Sequence, residues 1–168
     1  MKTIRLTNLD RDNLDLMIQD PRLFCAQHDV LIGEGVSHLV DVAAHIRAST
    51  RVIEGDSRWF GYCSIDAAKN NLIGICLFKG PPTSDRSVEI AYFTLPELEG
   101  QGYGTAMASE LIRIAFASNE VDLIVAHTLP LTNASTRILQ KVGMDFAGEA
   151  TDPQDGRVWR WVLHKPKI

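Results

Sequence analysis

The stretch Val88-Glu89-Ile90-Ala91-Tyr92-Phe93-Thr94-Leu95-Pro96-Glu97-Leu98-Glu99-Gly100-Gln101-Gly102-Tyr103-Gly104-Thr105 decides the fold. Val88 to Leu95 reads as a central strand, and Pro96, which offers no N–H to a ladder, stops it. Three glycines in five residues follow, and beyond them Met107, Leu111, Ile114 and Ala115 recur at the spacing of a buried helical stripe. A strand that turns on glycines into a helix lets backbone N–H groups converge, at the helix end that carries partial positive charge. That geometry suits a phosphate or pyrophosphate. The turn is not a P-loop, which needs GxxxxGK followed by Ser or Thr. Nor does it stand where a dinucleotide fold places GxGxxG, in a first βαβ unit with an acidic residue about 20 positions on. Taken alone, the glycine segment reads equally well as a tight connection with no ligand.

Working outward, Thr3 to Thr7 predicts a strand, and Asn8-Leu9-Asp10 a turn and cap before a helix bearing Leu14, Met17 and Ile18. Between Gly35 and Glu54, the residues Val36, Leu39, Val40, Val42, Ala43, Ile46 and Val52 predict a second amphipathic helix. Trp59 to Ile65 and Leu72 to Phe78 form a predicted hairpin across Asp66 to Asn71, and the breaker cluster Gly80 to Asp85 separates it from the decisive strand. Downstream come a buried strand at Leu123 to Ala126 and a helix through Ile138, Leu139 and Val142. Thr132, Asn133 or Ser135 can cap that helix, and Gly143 ends it. A last hairpin joins Met144–Ala150 to Val158–Leu163 across Asp152 to Gly156. The predicted order is β-α-α-β-β-β-α-β-α-β-β, in one domain spanning 1–168, without repeat or linker.

Composition narrows the function classes. With 45% hydrophobic and 23% charged residues the chain is globular rather than disordered. A formal charge of -4 argues against a general nucleic-acid or anionic-membrane surface, so an anionic ligand must be held locally. Cys25, Cys63 and Cys76 follow neither a disulfide nor a zinc spacing and are expected to be buried thiols. The five histidines show no HExxH, and no metal is expected. Gly55-Asp56-Ser57 is not a GxSxG nucleophile elbow. Trp159 and Trp161 share one face of the terminal strand, as core or groove wall. Neither a signal-peptide core near the amino terminus nor an apolar run of about 18 residues is present, so the expected address is the cytoplasm.

The run from Val88 to Thr105 resembles motif A of the GNAT superfamily of N-acetyltransferases. Thr128-Leu129-Pro130 with Asn133-Ala134-Ser135-Thr136-Arg137-Ile138-Leu139-Gln140-Lys141-Val142-Gly143-Met144 is similar to motif B, particularly in the branch of ribosomal-protein alanine and serine N-terminal acetyltransferases. The resemblance covers nearly the whole chain. It implies an α/β fold (α+β in some schemes) with a mixed, twisted, mostly antiparallel sheet of about seven strands flanked by helices. It also implies acetyl-CoA as cosubstrate and an amine as partner, either a small molecule or a protein N-terminus. Carried over by position, it assigns Phe93, Thr94 and Leu95 as backbone partners of the pantetheine arm. Gln101, Gly102, Tyr103, Gly104 and Thr105 become the phosphate cradle, and Asn133 a further contact to pantetheine. Where Glu99 stands the family prefers Gln, Arg or Trp.

Acyl transfer to an amine requires a neutral nucleophile, a stabilised oxyanion and a proton for the departing thiolate. Glu89, on the face opposite Val88, Ile90 and Tyr92, is the candidate base, directly or through water; the alternative is a carboxylate that fixes neighbouring polar groups or the substrate. Ser135 matches the serine proposed in the resembling branch to protonate the thiolate; the alternative is a helix cap. Many members place a tyrosine one turn later, where this chain has Leu139. The acceptor groove is expected between 20 and 53 and between 150 and 159, from Phe24, His28 and His38 beside Asp29, Glu34, Asp152 and Asp155. A second reading is an acyl-CoA-binding module without catalysis, and a third is a different nucleotide on the turn.

Overall fold

The computed structural model describes residues 1–49 and 55–168. Seven strands form one sheet: β1 (Ile4–Asn8), β2 (Gly61–Asp66), β3 (Leu72–Phe78), β4 (Ser87–Thr94), β5 (Leu123–Thr128), β6 (Asp145–Asp152) and β7 (Gly156–His164). Their spatial order is β1-β2-β3-β4-β5-β7-β6. Every neighbour pair is antiparallel except β4 and β5, which run parallel. The expected mixed, mostly antiparallel sheet of seven strands is therefore observed. The parallel pair follows from its connection, because a crossover through a helix returns the chain in the same direction.

Two apolar clusters lie on opposite faces of the sheet, as period-two alternation requires. On one face Val88, Ile90, Cys76 and Phe78 pack against Met107, Leu111 and Ala115 of α4 (Tyr103–Ala117) and Leu139 of α5 (Ala134–Lys141). On the other, Cys63, Ile65, Ile75 and Leu95 pack against α1 (Arg11–Gln19), α2 (Pro21–Gln27) and α3 (Val36–Ser49) through Leu14, Met17, Phe24, Leu39 and Ala43. All three cysteines are free and buried. Among the described residues no helix is long and apolar enough to cross a membrane.

Three local readings are revised. α2 was not anticipated: its seven residues are too few to display a period, and it is set by Asp20, whose side chain accepts from the Leu23 N–H, with Pro21 in the first turn. Trp59 belongs to a short 3-10 turn capped by Asp56, so the strand begins only at Gly61. α4 starts at Tyr103, a turn ahead of its apolar stripe. Val52, read as part of the second predicted helix, lies outside the described residues.

Candidate active site

The site is built where β4 and β5 part. Only three residue pairs join them, Ser87 with Leu123, Val88 with Ile124 and Glu89 with Val125, although β4 runs on to Thr94 and β5 to Thr128. Beyond the third pair each strand has an edge that the other does not cover. On its other side β4 remains paired with β3 as far as Thr94, and the bonds from Lys79 N–H to Glu89 O (2.9 Å) and Leu95 N–H to Ile73 O (2.8 Å) mark which residues face β3. Antiparallel ladders alternate, so Phe93 and Leu95 direct their backbone groups to β3, while Tyr92 and Thr94 present theirs to the gap. Of the three expected pantetheine partners, Thr94 has its backbone at the opening. Leu95 has instead committed its N–H to Ile73 and its side chain to the core, where it is 1% exposed.

At the far end of β4 the glycine turn follows a short 3-10 segment, Pro96–Leu98. Gly100 and Gly102 have φ of 76° and 93°, a region where any Cβ is strained. Gly104 lies close to α5 instead: a Cβ there would stand 2.6 Å from Ile138 Cδ1, so the end of that side chain would have to shift. α4 has no side-chain cap, and its first intrahelical bond runs from Ala106 N–H to Gly102 O (3.1 Å). The N–H groups of Tyr103, Gly104 and Thr105 are thus left to a ligand, at the positive end of a helix of 15 residues.

These amides border a cavity of about 290 Å³ lined by Thr94, Glu99, Gly100, Gly102, Tyr103, Gly104, Thr105, Ala134, Arg137, Ile138 and Lys141. Lys2 and Gln101 join Lys141 and Thr105 around a shallower adjoining hollow. Arg137, Lys141 and Lys2 were not singled out in the sequence, where each is one cation among many; folding gathers them at the turn. Glu99 also borders the cavity and is exposed to solvent, which screens its charge. The chain therefore presents backbone donors and cations that fit the pyrophosphate of coenzyme A, and a strand-shaped gap that fits its pantetheine arm.

Tyr103 anchors this turn. Its hydroxyl donates to Asp66 Oδ2 (2.5 Å) at the β2–β3 turn, where Asp66 Oδ1 also accepts from the Ala68 and Lys69 N–H groups. The bond to Asp66 pushes the Tyr103 hydroxyl up to about 12, and the same bond holds the Asp66 carboxyl below its usual range.

Ser135 and Glu89 lie on different faces of the gap. Asn133, not Ser135, caps α5: its Oδ1 accepts from the Thr136 N–H (3.0 Å) and Thr136 Oγ1 accepts in return from the Asn133 N–H (2.9 Å). The Ser135 hydroxyl is released from that duty and lies 3.2 Å from Tyr92 Oη, on the face of β4 that meets α4 and α5. Burial pushes the Tyr92 hydroxyl up, with the Ser135 bond opposing. Glu89 lies on the opposite face, as its alternation with Val88 and Ile90 predicted. Its Oε1 meets His127 Nδ1 (2.8 Å) and Lys79 Nζ (3.0 Å), with 27% of the side chain exposed. His127 and Lys79 escaped the sequence reading because they come from β5 and the end of β3, and only the strand register brings them to Glu89.

The acceptor groove also changes. Phe24 of α2 is fully buried and packs against His28 with ring centroids 4.5 Å apart and planes tilted by 42°, while His28 Nε2 meets Asn13 Oδ1 at 3.2 Å. Neither is a free groove wall. Asp152 caps the β6–β7 turn by accepting from the Gln154 and Asp155 N–H groups. Trp161 is core, its Nε1 donating to Thr128 Oγ1 (3.0 Å).

The acetyltransferase (GNAT) domain family matches residues 4–145. The chain belongs to that family. None of the curated proteins matches it by sequence. Solved structures similar in fold include aminoglycoside acetyltransferase AAC(6')-Ib in complex with coenzyme A and kanamycin, at 18% identity and a TM-score of 0.66 over 97% of this chain and 95% of that one. RimL, a ribosomal alpha-N-protein acetyltransferase in complex with coenzyme A, has 11% identity and a TM-score of 0.66 over 98% and 95%. A chimeric spermidine N-acetyltransferase from Vibrio cholerae and hSSAT has 17% identity and a TM-score of 0.63 over 96% and 95%. These relatives act in several branches of the family, so the likeness does not single out the ribosomal-protein branch that motif B resembled.

Proposed function

We propose that the protein is a cytoplasmic N-acetyltransferase that moves an acetyl group from acetyl-CoA to a primary amine by direct transfer in a ternary complex. The observation that carries this is the conjunction of the uncapped α4 terminus with the gap between β4 and β5, a phosphate cradle continuous with an unpaired strand edge. Bound acetyl-CoA supplies an acetyl thioester. The amides from Gln101 to Thr105, with Arg137 and Lys141, hold its phosphates. Thr94 and Tyr92 offer main-chain groups to pantetheine, and Asn133, whose Oδ1 is engaged in the cap, offers its side-chain nitrogen. The Tyr92 main-chain N–H faces the gap and steadies the oxyanion. Ser135, backed by Tyr92, gives the departing thiolate its proton, and the Glu89 group serves the amine's deprotonation. The acceptor is a small-molecule amine or a protein N-terminus, with neither nucleic acid nor membrane as partner.

Thermal unfolding with CoA, ATP and a dinucleotide tests the cofactor. Stabilisation by CoA alone is expected; a shift with ATP or the dinucleotide and none with CoA would remove the reading. Stabilisation by CoA without acetylation of any amine would favour an acyl-CoA-binding module.

A further inference from the structure

The amine proton has two possible destinations on the Glu89 face, and their hydrogen bonds distinguish them. Glu89 pairs with Val125 in the last rung between β4 and β5. Residues paired across a ladder point to the same face, so His127, two places beyond Val125, shares that face where the strands have parted. An ammonium can only donate, so the 3.0 Å contact from Lys79 makes Glu89 Oε1 an acceptor. The 2.8 Å partner on the same oxygen, His127 Nδ1, must then carry a hydrogen, and in the neutral imidazole the lone pair then sits on Nε2. Nε2 has no hydrogen-bond partner among the described residues, and the side chain is 22% exposed. A proton arriving on Glu89 would weaken two charge-assisted bonds, whereas one arriving on Nε2 makes the imidazole–carboxylate bond ionic and stronger.

We propose that His127 Nε2 accepts the proton of the attacking amine and that Glu89 is the positioning residue that fixes the ring. The proposal rests on the acetyltransferase reading above. As the neutral amine's lone pair forms the N–C bond, one N–H proton passes to Nε2. The C–S bond breaks with its electron pair on sulfur, which takes a proton from Ser135. The imidazolium returns its proton to solvent, and Ser135 regains one, so the products are the N-acetyl amine and the free thiol. The charged and titratable groups around the ring are Lys79 after β3, Glu89 on β4, Arg160 opposite His127 on β7, and Asp152 at the end of β6.

The test compares His127→Gln, His127→Gly with added imidazole, and Glu89→Gln, with an amine that the wild type acetylates. A glutamine at 89 can still accept the Nδ1 hydrogen, so that variant should keep its rate within about tenfold. His127→Gln should lose about a hundredfold or more in kcat at little change in KM for acetyl-CoA, and imidazole should restore part of the rate to His127→Gly. A wild-type rate in His127→Gln, or a loss in Glu89→Gln equal to that in His127→Gln, would overturn the proposal. Long-range proton–nitrogen NMR of the free protein adds a readout independent of turnover. The Nδ1–H tautomer supports the assignment and the Nε2–H tautomer overturns it, even in an active enzyme. A wild type with the expected tautomer that acetylates no amine would instead defeat the acetyltransferase reading, and His127's role with it.

Discussion

Ser135 shows how one residue's duty depends on its neighbour. A hydroxyl near a helix start would ordinarily cap it, but Asn133 and Thr136 satisfy those end groups reciprocally, so Ser135 is free to face Tyr92 across the gap. If Ser135 is the proton donor, Ser135→Ala should lower kcat by about a hundredfold. Tyr92→Phe removes only its hydrogen-bonded support and should cost roughly two- to tenfold, the worth of one neutral hydrogen bond. Steady-state kinetics with both variants checks the ranking, and an unaffected Ser135→Ala would take Ser135 out of the mechanism. The sequence offered Glu89 and Ser135 as candidates, the first by its face of a strand together with the family resemblance and the second by a motif. It could not show Lys79, His127 or Tyr92 as their partners, because those contacts join elements whose register is a property of the folded sheet.

At the scale of elements, the glycine turn was legible because its chemistry is local: φ above zero at Gly100 and Gly102 and an uncapped helix start are written in consecutive residues. Its anchorage was not, since Tyr103 reaches Asp66 across 37 positions of chain. That bond sets a pH window. The Asp66 carboxyl is held low, chiefly by the Tyr103 hydroxyl and then by backbone N–H groups, so its contribution is present above the ordinary carboxyl value of about 4 and is lost as pH falls through the lowered one. Tyr103 is pushed up to about 12, so its contribution is present below the ordinary phenol value of about 10 and is lost as pH rises through the raised one. Denaturant unfolding should therefore show Tyr103→Phe less stable than wild type by about 1.5–3 kcal/mol at neutral pH, the range for a hydrogen bond to a charged group. The difference should shrink as the pH rises beyond 10. A difference that stays constant to pH 12 would contradict the anchor.

For the whole molecule, the proposed function requires a chain of net charge -4 to hold an anionic cosubstrate, which local concentration of opposite charge would allow. The free amides of the turn supply part of that charge, and Arg137, Lys141 and Lys2 line the adjoining hollows. Arg137→Ala should weaken CoA binding by roughly tenfold in calorimetry, and added salt should narrow the gap from wild type. Equal affinities at low salt would remove Arg137 from the cradle. The succession of seven strands and the mixed, mostly antiparallel sheet were legible because two motifs and the hydrophobic periodicities agreed, whereas the spatial strand order and the gap between β4 and β5 belong to the folded sheet. The acceptor groove was not legible either: its walls come from separate segments, and Phe24 shows that an aromatic residue in the right stretch of sequence can belong to the core. Acetyl transfer itself is tested by incubating the protein with acetyl-CoA and a panel of amines that includes peptides beginning with Ser and Ala, polyamines and aminoglycosides. Thiol released and N-acetyl product, the latter by mass spectrometry, should rise one for one with at least one amine; thiol release with no acetylated amine, or no release with any of them, would contradict it.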